Sequence, residues 1–142
     1  MSLRPDRVQQ LLDRSDLADL VSGITGCLDR KDFEGLHHFY TSDAVLRVAD
    51  SECASVEAIV SAARKSHEMF WQTQHLVAGL TVSIAADHAE VVANVVAVLM
   101  PAAQGSDIHL MGSRYELAAT RIESRWVAAE HVIVPLWDLR RP

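Results

Sequence analysis

Little in this chain punctuates it. Of 142 residues, 2 are cysteine, 4 proline and 6 glycine. Two cysteines, Cys27 and Cys53, cannot build the disulfide framework of a small secreted domain. Cys27 falls on a predicted helix face and reads as a small buried hydrophobe. With so few prolines and glycines no linker stands out, and the length fits one domain, 1–142. No apolar run is long enough to span a bilayer, so no membrane partner is expected. The opening segment "MSLRPDRVQQ" lacks the apolar stretch of a signal peptide, and the expectation is a cytoplasmic protein. Positive charge is also short. There are 13 Lys and Arg against 19 Asp and Glu, for a net charge of -6, and the basic residues are scattered. Nucleic acid needs a basic face, so it is not an expected partner.

Common local motifs are missing as well. There is no G-x-x-x-x-G-K-[ST], no G-x-G-x-x-G after a strand, no C-x-x-C and no H-E-x-x-H. His37 and His38 are adjacent, so on a helix they point about a third of a turn apart and do not share an ion. Gly23 and Gly26 lie inside a helical pattern, where they serve close packing rather than phosphate binding. No metal and no cofactor is expected.

What remains is patterning. Hydrophobic residues make up 49% and charged residues 23%, enough apolar material for a self-sufficient core. Ser15 can cap a helix from Asp16 to about Arg30, with Leu17, Leu20, Val21, Ile24, Cys27 and Leu28 as its apolar stripe. Asp32 can cap a second, short helix containing Phe33, Leu36, Phe39 and Tyr40. Ser42 to Asp50 reads as a short strand. Ser55 starts a third helix, about Val56 to Met69, striped by Val56, Ile59, Val60 and Ala63. Four long strands follow at about Gln72–Ala85, Ala89–Pro101, Ile108–Arg121 and Arg125–Trp137, joined in part by hairpin-like connections at Ala85–His88 and Glu123–Arg125. Helices first and strands later predict an α+β domain, with helices on one face of an antiparallel sheet.

Three segments carry a resemblance: "CLDRKDFEGLHHFYTSDAVLRV", "TQHLVAG" and "GSRYELAATRIESRWVAAEHVIVPLW". Together they resemble the SnoaL-like branch of the nuclear transport factor two-like superfamily, which includes scytalone dehydratase, lindane dehydrochlorinase, ketosteroid isomerase and polyketide cyclases. The resemblance covers nearly the whole chain. It implies that the helices pack on a curved antiparallel sheet, forming a cone with an internal pocket. It also implies a dyad in which His75 is the base and Asp29 orients it. Two features of scytalone dehydratase do not carry over. Its tyrosine before the aspartate is Leu28 here, and its second catalytic histidine falls near Met100, Pro101 and Ala102. A simpler Asp–His site, like that of the dehydrochlorinase, is what the resemblance leaves.

The residues themselves pose a condition on that dyad. A regular strand groups Leu76, Ala78, Leu80, Val82 and Ile84 on one face, and His75, Val77, Gly79, Thr81 and Ser83 on the other. His75 is then on the more polar face. A bulge at Gly79 would switch faces midway and join His75 and Val77 to Leu80 and Val82 on the helix side. Asp29 stands off the centre of its helical stripe, at the end of the helix where a carboxylate meets the negative end of the dipole; Arg30 and Lys31 offset that.

Further pocket-lining candidates are Asn94, which shares a face with Val92, Val96 and Met100, and the row His109, Met111, Ser113 and Tyr115. Tyr40 and Trp71 complete the substrate-binding set. Tyr115 or Asn94 would hold a developing negative oxygen. Trp126 and Trp137 read as core or interface residues, and the facing of His131 stays open. The expected function is a cofactor-independent lyase or isomerase of dehydratase or cyclase type. It would act on a mostly apolar, ring-containing molecule such as a polyketide, in a homodimer paired through the sheet. The alternative is a non-catalytic binding or assembly domain, like the small subunit of ring-hydroxylating dioxygenases.

Overall fold

Helix α1 runs from Pro5 to Asp29 in the computed structural model, which describes residues 5–103 and 107–141. It begins well before the expected Asp16. Ser15 has the chemistry of a cap, but Gln9, Leu11, Leu12 and Arg14 are good helix formers and nothing between Pro5 and Ser15 breaks the helix. Pro5 stands in the first turn, where a missing N–H costs nothing. The added turns are tied down at Asp13, whose side chain accepts from Gln9 Nε2 at 3.0 Å, Trp126 Nε1 at 3.2 Å and Arg121 Nη1 at 2.6 Å.

The end of α1 is a Schellman turn, which satisfies carbonyls the helix would otherwise leave unpaired. Lys31 takes a left-handed φ of 57°. Its N–H donates to the Leu28 carbonyl at 3.1 Å, and the Asp32 N–H reaches back to Cys27 at 2.9 Å. Lys31 Nζ also donates to the Phe70 carbonyl, fastening the helix end to the segment that enters the first long strand. Gly23 lies against Phe39: a Cβ there would come within 2.3 Å of the ring, so close packing is its role.

After α1 comes a single 3-10 turn, Glu34–His38, instead of a second α-helix. Tyr40, expected inside that helix, opens strand β1 (Tyr40–Val48). The remaining elements are β2 (Ser51–Cys53), α2 (Val56–His67), β3 (Gln72–Ala85), β4 (His88–Met100), β5 (Ile108–Ile122) and β6 (Arg125–Arg141). Ser55 caps α2 as its chemistry predicts, with its hydroxyl accepting from the Ala58 N–H at 3.1 Å. The turn between β5 and β6 is Glu123–Ser124, both at positive φ, the backbone twist a two-residue hairpin requires.

The strands form one open sheet in the order β2-β1-β6-β5-β4-β3. The α+β cone with helices on one face is as expected, but the sheet is mixed rather than antiparallel, because β1 runs parallel to β6. The chain can do this because β2, α2 and the whole β3–β5 meander separate the two strands, leaving ample length for a crossover. Helix α1 packs on β3 and β6, and α2 on β1. The core lies between them and the inner sheet face: Leu17, Val21 and Ile24 from α1, Ile59 from α2, and Val91, Ala93, Leu117 and Trp126 from the sheet. Cys27 is buried there as a small hydrophobe.

Candidate functional site

The condition at Gly79 is met. Gly79 adopts a φ of 60°, and the pairing with β4 slips by one residue between Ala78↔Asn94 and Thr81↔Val92. On this bulge the inner face passes from Thr73, His75 and Val77 to Leu80, Val82 and Ile84, while Leu76 turns outward. The His75 side chain is left only 3% exposed.

Across from it stands Asp29, in the last turn of α1. Its carboxylate accepts three hydrogen bonds: from Thr73 Oγ1 at 2.9 Å, from the His75 backbone N–H at 2.8 Å and from the His75 ring at Nδ1, 2.6 Å. β3 is an edge strand, so the His75 N–H has no strand partner on that side; Asp29 supplies it. A carboxylate only accepts, so Nδ1 carries the proton and Nε2 keeps its lone pair. Burial pushes the Asp29 carboxyl upward, but the His75 ring, the backbone N–H, the charge on His75 and the Thr73 hydroxyl outweigh it and hold it below the ordinary aspartate range. It is therefore ionised at neutral pH.

His75 opens into a cavity of about 360 Å³ between the helices and the inner sheet face. Ile24, Leu28 and Ile59 line its helix side, and Ala97, Leu99, Met111, Tyr115 and Ile133 its sheet side. Asp29 stands behind His75, outside this lining, as an orienting group should. Tyr115 is buried and lines the wall; burial, and then the negative charge of Asp29, push its phenol upward, so it is a neutral donor. Tyr40 lines the cavity too, with its hydroxyl 2.7 Å from His131 Nδ1.

Of the expected lining residues, Tyr40, Met111, Ser113 and Tyr115 reach the cavity. Four do not. Asn94 is exposed on the outer sheet face, opposite the inner row Ala93, Val95 and Ala97, and Met100 is on that outer face as well. His109 is beyond the lining and bonds Asp138 Oδ2 at 3.0 Å. Trp71 precedes β3 and is 53% exposed.

Two histidines enter the lining unannounced. His67 ends α2 and tilts toward His75, with ring centroids 5.5 Å apart. It continues the stripe Val56, Ile59, Val60, Ala63 by one more turn, so helical spacing alone could have placed it. Burial pushes its imidazole downward and outweighs the upward pull of the hydrogen bond to the Ala63 carbonyl. His131 is fully buried on β6 and touches Tyr115 edge-on at 4.7 Å between centroids. Burial pushes it down to about 3, so it is neutral, and its Nε2 has no hydrogen-bond partner among the described residues. It faces inward because β6 bulges at Ala129, where Ala118↔Glu130 is followed by Ala119↔Ala128. An alanine leaves no mark of that bulge. Among the described residues no three His, Cys, Asp or Glu side chains converge as metal ligands.

Residues 9–131 match the family model for the SnoaL-like domain. No curated protein matches the sequence. Three solved structures share the fold at low identity. The Kfla4162 protein from Kribbella flavida is 21% identical, over 92% of this chain and 95% of its own, with a TM-score of 0.83. A hexachlorocyclohexane dehydrochlorinase, LinA-type3 from Novosphingobium barchaimii LL02, is 16% identical over 95% and 94%, at 0.82. A scytalone dehydratase candidate from Novosphingobium aromaticivorans DSM 12444 is 12% identical over 94% and 90%, at 0.84.

Proposed function

Since the chain belongs to the SnoaL-like domain family, we propose that it is a cofactor-independent lyase or isomerase acting on a mostly apolar, ring-containing small molecule. One observation carries the reading: an ionised, three-fold hydrogen-bonded Asp29 holds the His75 ring so that its basic nitrogen opens into an apolar cavity. His75 Nε2 takes a proton from carbon, α to a carbonyl or β to a leaving group. The C–H electron pair becomes the new double bond, and the leaving group or carbonyl oxygen takes the displaced pair. Asp29 stabilises the imidazolium so formed. Tyr115 donates to the oxygen that gains charge. In an isomerisation the imidazolium returns its proton at another carbon.

The test uses α-proton exchange of 2-tetralone in D2O, followed by NMR. The wild type should accelerate exchange, His75→Ala should abolish the acceleration, and Asp29→Asn should lower it by about 10²-fold or more. Full activity in either variant rejects the dyad. Leu28 and Met100 at the two unmatched dehydratase positions favour a second reading, a non-catalytic binding or assembly domain, and a wild type that leaves exchange unaccelerated selects it.

The proposal includes a homodimer paired through the outer sheet face. Leu76, Val96 and Trp137 stand in one row across that face, with the Trp137 ring laid over Gly112, and Leu76 is 50% exposed.

A further inference from the structure

His67 lines the same cavity as His75, and its own hydrogen bonds fix its tautomer. Its Nδ1 is 3.0 Å from the Ala63 carbonyl and 2.8 Å from Ser66 Oγ. A carbonyl oxygen cannot donate, so the contact with Ala63 is a hydrogen bond only when Nδ1 carries the ring proton. The Ser66 hydroxyl then gives its own proton to the Ala62 carbonyl at 3.0 Å. With the proton on Nδ1, the neutral ring keeps its lone pair on Nε2. That nitrogen is on the side of the ring away from the helix backbone, makes no hydrogen bond to a described residue, and is not sealed in the core. The ring lines the same cavity as His75, 5.5 Å from it.

Two imidazoles thus face one cavity, each held through Nδ1 and each offering Nε2. They differ in what holds them. A carboxylate behind His75 stabilises an added proton, whereas a carbonyl behind His67 does so far less, and burial keeps that ring neutral. Environments pushed apart in this way assign different tasks to like groups. We propose that His67 Nε2 accepts a hydrogen bond from a hydroxyl of the ligand, so that the site selects hydroxylated ring compounds, phenols or enols, over their ethers and parent hydrocarbons. This rests on the cavity being the ligand site, as proposed above, and not on turnover by the dyad. The remainder of the lining is mostly carbon, so one lost hydroxyl contact is a large share of the polar recognition.

The probes are 2-naphthol and 2-methoxynaphthalene, which share a ring system and differ in whether the oxygen can donate. Equilibrium binding by the wild type should favour 2-naphthol about fivefold, the effect of one net hydrogen bond. His67→Phe should erase the preference by weakening 2-naphthol alone, and His67→Gln, which keeps an acceptor, should restore it. His75→Ala should leave the preference intact, which separates this inference from the dyad: a wild type that prefers 2-naphthol but does not accelerate α-proton exchange would reject catalysis and keep the acceptor. Independently of any variant, ¹⁵N spectra of the wild-type imidazoles should show His67 protonated at Nδ1, with its Nε2 resonance moving when 2-naphthol is added. Equal affinities in the wild type, no binding of either compound, a preference that survives in His67→Phe, or an Nε2–H tautomer overturns the proposal.

Discussion

Replacing His131 with glutamine should remove roughly 3 kcal/mol of the acid sensitivity of this fold between pH 7 and 4.5. The His131 imidazole is fully buried beside two phenols, Tyr40 and Tyr115, and no carboxylate among the described residues contacts it. Burial lowers its folded-state value to about 3, whereas in the unfolded chain an imidazole titrates at about 6.5. The folded protein therefore binds fewer protons across this range, and its stability is fully present above the unfolded value and lost as the pH falls toward 3. One proton costs about 1.4 kcal/mol per pH unit, so two units below 6.5 amount to roughly 3 kcal/mol. That is a large part of a domain's usual margin of roughly 5–15 kcal/mol. The assay is urea unfolding of wild type and His131→Gln at both pH values. The variant can be less stable at pH 7, because only the difference between the two pH values matters. Asp29 and His67 titrate in both proteins and cancel. The wild type should lose roughly 3 kcal/mol more than the variant on acidification. Parallel losses would refute a neutral, buried His131.

Two further outcomes follow from the sheet. Gly79→Val places a β-branched residue at a φ of 60°, which should cost about 1–2 kcal/mol in urea unfolding. If the bulge then moves, exchange of 2-tetralone should fall with it, because the face taken by His75 depends on that bulge. Leu76→Lys puts a charge at the β3 end of the outer apolar row; sedimentation equilibrium should show a monomer where the wild type is a dimer, with the monomer fold intact by circular dichroism. A monomeric wild type would remove the dimer proposal.

How far the sequence was legible depended on whether each feature left a chemical trace. β3 carried alternation and a turn at each end, and its bounds, Gln72–Ala85, are those expected. Ser55 carried the cap of α2. Ser15 carried the same chemistry but sits inside α1, since capping potential does not stop a helix whose flanking residues also propagate it. β4 is apolar on both faces, "VVANVVAVLM", so parity could group Asn94 with Val92 and Val96 but could not say which group faces inward. The parallel pairing of β1 with β6 was invisible for a related reason: alternation shows that a strand has two faces, not which strand lies beside it.

The site itself is assembled where the backbone departs from regular geometry. A left-handed Lys31 ends α1 in the turn that brings Asp29 to β3. The bulge at Gly79 puts His75 on the inner face, and the bulge at Ala129 does the same for His131. A one-residue slip in a strand exchanges its two faces, so regularising either bulge would send one of these imidazoles outward and bring its neighbour in. The three irregularities differ only in how visible they are. Glycine announced one of them because a φ of 60° is easy for it and costly for other residues. Lysine and alanine announced nothing, and there the surrounding contacts hold the backbone: Lys31 through its donors to the β3 entry, Ala129 through β5 pairing resumed on both sides. Gly79 thus made the facing of His75 legible, Asp29 was reached only through the family resemblance, and His131 became visible only once the register of β5 and β6 was known.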